Sequence, residues 1–89
     1  MNVGLQFTIA DEYFRSGHYS LQRQNLNPEE KSRALENLQI SKETFQLCLD
    51  SGSPDLNDRL RESIEKRISK IRELLVGAEL RGLVFEEEE

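Results

Sequence analysis

Apolar side chains recur at spacings of three and four along most of this chain. Val3, Phe7, Ala10, Phe14, Gly17 and Leu21 make one such row, with Leu5, Ile9 and Tyr13 beside it. That spacing is one face of a helix, and the pattern predicts a first helix over about 2–24. Its stripe is wide, which implies burial against two neighbours rather than one. Gly17 costs a helix about 1 kcal/mol relative to Ala, so it either ends the element or lets another backbone come close. Ala34, Leu38, Ser41, Phe45 and Cys48 or Leu49 make a second row, with Leu35 alongside, and predict a helix over about 28–50. Leu60, Ile64, Ile68, Ile71 and Leu75, flanked by Leu56 and Leu74, predict a third over about 54–76.

The breaks between these rows carry their own signals. Asn27 is a good N-cap, Pro28 suits the first helical position, and Glu30 sits where it can reach back to the cap. Gly52 is suited to the left-handed residue that closes a helix. Ser53-Pro54-Asp55 repeats the cap-then-proline start. Gly77 is the expected stop of the third helix and Gly82 a further breaker. No segment alternates like a strand, and no unit repeats three or more times. Three helices of similar length on short connections predict an all-α fold, an antiparallel three-helix bundle over 1–77. A hairpin of the first two helices with the third as a cap describes the same pattern. An acidic, flexible tail is expected over 78–89.

Composition narrows the chemistry. The chain has 89 residues with one Cys, one His and no Trp. One His and one Cys cannot assemble a zinc site, so neither a metal nor a cofactor is expected, and no catalytic residue stands out. A non-catalytic protein follows as the expectation. The longest apolar runs, Leu74–Val76 and Leu83–Phe85, fall far short of the ~20 residues of a membrane span. With no basic-then-apolar start and a single Cys48, a cytoplasmic protein is expected. Net charge is −5, yet Glu86 to Glu89 hold four of the 17 acids, leaving 13 against 12 basic residues. No basic excess points to nucleic acid.

Single residues read mostly as structure. Cys48 lies near a helix C-terminus, where the dipole does not activate a thiol, and reads as core. His18 has no evident acid or base partner. Tyr13, Phe14 and Tyr19 crowd the end of the first helix and read as packing. Glu62 and Lys66 are an i,i+4 pair in the favourable order. Arg61, Lys66, Arg67, Lys70 and Arg72 form a basic run interleaved with Glu62, Glu65 and Glu73, a solvated face or a steering surface for an acidic peptide.

Two resemblances emerge. Ile9-Ala10-Asp11-Glu12-Tyr13-Phe14-Arg15-Ser16-Gly17-His18-Tyr19 resembles the first helix and turn of a tetratricopeptide or of a microtubule-interacting and trafficking (MIT) domain. Residues 34–75 resemble the second and third helices of the MIT domain, through the opening alanine, the periodic row, the Pro-bearing turn and the Arg-Glu-Ser-Ile-Glu-Lys run. The likeness implies a bundle that binds a peptide helix in the groove between helices two and three. The chain departs from the family in three ways. Ser20 to Arg33 intervenes before the second row, Ile71 stands where the family often has alanine, and Ser69 and Arg72 stand where it carries acids. Those changes, with the basic third helix, point to an acidic partner such as a tubulin tail.

Three stripes this wide exceed what three thin helices can hide from each other, which is a physical reason to expect a partner. The expected function is recruitment of a protein or peptide partner, an adaptor of the MIT-like, intracellular-trafficking kind, with no nucleic acid and no membrane insertion. Candidate contacts are Leu38, Phe45 and Leu49 on the second helix and Ile64, Arg67, Ile68, Lys70, Ile71 and Leu75 on the third. Periodicity leaves open which of these face a groove and which the core. The alternative is a structural or oligomerising bundle, a tetratricopeptide-like hairpin with a capping helix, serving as a subunit of a larger assembly or as a homo-oligomer. Leu83-Val84-Phe85 ahead of the terminal acids reads as a disordered end, a linker to another domain, or a short linear motif.

Overall fold

The computed structural model describes residues 2–23 and 25–88, with side chains as far as residue 78. Three helices make up the fold: α1 Val3–Leu21, α2 Pro28–Asp50 and α3 Asp58–Glu88. No strand occurs among the described residues. The start of α2 is built as its sequence implies. The Asn27 side-chain oxygen accepts the Glu30 N–H at 2.8 Å, and its amide donates to Glu30 Oε1 at 2.7 Å. Gly52, at φ 65°, takes the left-handed conformation just past α2. At α1 the Asn2 oxygen accepts the Leu5 N–H at 3.0 Å.

The third helix differs from expectation at both ends. Ser53 and Pro54 do not start it. Ser53 instead closes a turn, its hydroxyl accepting the Asp55 N–H at 3.2 Å and its carbonyl the Leu56 N–H at 3.1 Å. Asn57 is the working cap, its side-chain oxygen accepting the Leu60 N–H at 2.8 Å. Leu56 is thereby held half-buried against the core. Gly77 does not stop α3, which runs through it and through Gly82 to Glu88. A single glycine weakens a helix by about 1 kcal/mol without forcing a break, and Ala78 beyond it is buried. The third helix therefore does not end at 76. The side chains of Leu83-Val84-Phe85, and Glu89 altogether, lie outside the described residues.

α1 and α2 pack as an antiparallel pair. Phe7 meets Phe45 edge to face at 5.6 Å, the buried Ser41 hydroxyl donates to the Ala10 carbonyl at 2.6 Å, and Gly17 lies against Ala34 and Leu38. A Cβ on Gly17 would stand 2.7 Å from Leu38 Cγ and 2.8 Å from the Ala34 carbonyl oxygen. Of the two roles open to Gly17, close backbone approach is the one realised. α3 completes the core with Ile64, Ile68 and Ile71, which cluster with Val3, Ala10, Leu38, Phe45 and Cys48. Cys48 is a core residue, and burial pushes its thiol pKa up. Glu62 and Lys66 pair at 3.4 Å on the exposed face of α3.

The second row of α1 is a correction to the sequence reading. Leu5 is 55% and Tyr13 37% exposed, and Ile9 only half-buried. A helix in a three-helix bundle has two seams, and Val3, Phe7, Ala10, Phe14, Gly17 and Leu21 already occupy them. Tyr19 is likewise 72% exposed rather than packed. Phe14 is the aromatic of that group that packs on the core, stacked on His18 at 5.6 Å.

Candidate partner-binding surface

Of the candidate contact residues, Leu38, Phe45, Ile64 and Ile71 are fully buried and Ile68 is 5% exposed. The first four are core residues, closed to a partner. Leu49 and Leu75 are half-buried and Lys70 is exposed. Arg67 is turned to an internal task. Its Nε donates to Asp11 Oδ1 at 2.9 Å, and its Nη1 donates to the Ser63 carbonyl at 3.3 Å and to the Ser63 hydroxyl. The guanidinium also lies 5.0 Å from the centre of the Phe7 ring.

Asp11 is the buried charge at the centre of this arrangement, only 6% exposed. Arg15, one turn on, adds a second ion pair to it at 2.6 Å. Burial raises the Asp11 pKa, but the hydrogen bonds and charges of Arg67 and Arg15 outweigh that and hold the carboxyl below its ordinary value. No buried side-chain polar atom is left without a hydrogen-bond partner among the described residues. The Asp11–Arg67 pair latches α1 to α3, two elements that otherwise touch sparingly. Neither residue type nor spacing could have paired these positions, which lie 56 apart.

What remains open to solvent is a shallow depression between α2 and α3. It is lined by Gln46 and Leu49 on one side and by Glu65, Ile68, Ser69 and Arg72 on the other. A second depression continues it along α3, bordered by Ser69, Arg72, Glu73, Val76 and Gly77. Ser69 and Arg72 border both. Val76 is 54% exposed and was absent from the expected contacts. The depression reaches as far as Gly77, the expected stop of the helix. Arg72 makes no ion pair among the described residues, in contrast to Arg67. The strip therefore offers apolar surface at half-buried Leu49 and exposed Val76, with Arg72 along α3 between them and the carboxylates of Glu65 and Glu73 beside it.

A larger hollow lies between the end of α1 and the start of α2, bordered by Ser20, Arg23, Asn27, Glu30 and Arg33. It is polar, and Arg23 and Glu30 already pair across it at 3.3 Å. No group of three or more His, Cys, Asp or Glu residues is placed to hold a metal ion among the described residues. No helix there is long and apolar enough to cross a membrane.

These features define an all-α three-helix bundle with an amphipathic strip along its last two helices. Compared with known proteins, the chain matches no protein-family model, and no curated protein or solved structure is detectably similar to it.

Proposed function

We propose that this chain is a non-catalytic recruitment module that binds an amphipathic peptide along the strip between α2 and α3. The observation that carries the reading is Arg72, exposed and without an ion pair among the described residues, on a strip that also carries half-buried Leu49 and exposed Val76. An amphipathic helix laid in such a strip would bury apolar residues at Leu49 and Val76 and place a carboxylate between them. Glu65 and Glu73 line the strip beside Arg72, so the preference for an acidic partner rests on steering by Arg61 and Lys70, which lie on the same helix outside both depressions. The resemblance of residues 9–19 and 34–75 to MIT domains supports the same mode of binding, and with it an adaptor role in trafficking or on microtubules, in the cytoplasm. Leu49 and Ile68 stay in the contact set, while Lys70 and Leu75 line neither depression. Arg72 and Val76 join it, while Arg67 serves the latch.

The test is fluorescence anisotropy with a labelled acidic amphipathic peptide of about five turns. Binding that weakens as salt rises is expected, with a several-fold loss in a Lys70→Glu, Arg72→Glu double variant. Unchanged affinity and salt dependence in that variant would remove the proposal.

A second reading, a structural subunit of a larger assembly, draws on a different observation. The apolar row Leu5, Ile9 and Tyr13 stands open on the far side of the α1–α2 hairpin.

A further inference from the structure

The back of the α1–α2 hairpin is a second surface, separate from the strip on α3. Ile9, Glu12, Tyr13 and Ser16 of α1 border a depression there together with Asn37 of α2. Leu5 continues the α1 row one turn earlier. On α2 the helical period carries the row from Asn37 through Ile40 and Thr44 to Leu47, at steps of three and four. Leu47 is 54% exposed and Leu5 55%, while Ile40 is half-buried. The Thr44 hydroxyl donates to the Ile40 carbonyl at 2.8 Å, so its polar group is already satisfied within the helix.

The contrast with α3 is one of charge. Exposed positions of α3 from Asp58 to Glu73 are almost all ionic, whereas Glu12 is the one charged side chain among the five that line the depression on the hairpin's back. Depletion of charge at the centre of an apolar patch is the compositional mark of an interface. Glu12 on α1 lies at the depression itself, and Arg33 on α2 lies beside it. Arg33 borders the polar hollow that shares Ser16 and Asn37 with this depression. The two are opposite in sign, and neither makes an ion pair among the described residues.

We infer that this face joins two copies of the chain back to back, forming a four-helix layer from two α1–α2 hairpins. A surface that bears both an unpaired acid and an unpaired base beside one apolar patch is complementary to itself, as an isologous interface requires. Area agrees. α1 is about 28 Å long at ~1.5 Å per residue, and with a molecular width of 18 Å the face offers roughly 500 Å² per copy. Two copies hide about 1,000 Å², which is the floor for a specific interface and sets a weak, concentration-dependent dimer. Such a pairing leaves the α2–α3 strip open on each copy, so a dimer would present two strips.

Sedimentation velocity of the whole chain over about 5–500 µM tests this by mass action. The expected result is a monomer that converts to a dimer within that range. Leu5→Glu, Tyr13→Lys and Leu47→Glu, each at an exposed site, should each shift the transition at least about tenfold upward in concentration. Their helical circular dichroism should match the parent. Val76→Glu, on the other surface, should leave the transition in place. A chain that stays monomeric throughout overturns the inference. So does a dimer indifferent to all three hairpin variants, or one dissolved by Val76→Glu instead.

Discussion

The α1–α2 hairpin and the α3 seam are held together in different ways. Within the hairpin, Ala10, Gly17, Ala34 and Ser41 keep side chains small where the two helices meet. Backbones come close enough for a side-chain hydroxyl to bond directly to the opposite main chain. α3 is attached by a ladder of isoleucines and by one ion pair to α1. Close backbone packing leaves the hairpin a polar hollow at its open end and a shallow depression on its back. Packing through long side chains leaves a seam with depressions along it, and the candidate binding strip lies there. The difference teaches that the α2–α3 strip, unlike the hairpin's back, is the consequence of one helix packing less intimately than the other two.

The largest break in this comparison is Phe45→Ala, expected to cost about 3–5 kcal/mol in urea unfolding. Phe45 faces Phe7 within the core that α3 shares, so hairpin and seam should fail together. Gly17→Ala strikes the hairpin alone. Its Cβ would meet the Ala34 carbonyl oxygen, which cannot swing away, and a net loss of about 1–3 kcal/mol is expected despite alanine's better helix propensity. Asp11→Asn strikes the seam alone, at about 1–2 kcal/mol, because Arg67 loses a charged partner yet is partly open to water. Amide hydrogen exchange should speed up in α3 more than in α2 for this variant. Since the fold holds the Asp11 pKa below its unfolded value of about 3.9, the stabilisation from ionised Asp11 is complete above about pH 5. It disappears as pH falls through the folded value. The stability gap between parent and Asp11→Asn should close over that acid range and stay flat above it. Smallest of all, the Lys70→Glu, Arg72→Glu double variant should move stability by no more than about 0.5 kcal/mol per site, since both side chains are exposed.

Much of the hairpin was legible in the sequence. Asn27, Pro28 and Glu30 start α2 as their chemistry dictates, and Gly52 closes it, because capping depends on residues within one turn of each other. Local signals misled where two of them competed. Ser53-Pro54 and Asn57 both offer a start for α3, and the later one prevails because Leu56 must first reach the core. Gly77 reads as a stop only if nothing beyond it packs, and Ala78 does. The site was less legible for a different reason. A row at helical period marks the apolar face without dividing it into core and rim, so Leu38, Phe45, Ile64 and Ile71 were indistinguishable from Leu49 and Leu75. Arg67 and Arg72 look alike in the basic run, yet Asp11 claims the first, and the second makes no ion pair among the described residues.

The most direct test of the central claim is amide chemical-shift mapping while the acidic amphipathic peptide is titrated into the labelled chain. Shifts should gather at Leu49, Ser69, Arg72 and Val76, with Leu5, Ile9 and Tyr13 unmoved. Shifts confined to α1, or none at saturating peptide, would contradict the assignment of the α2–α3 seam as the recruiting surface.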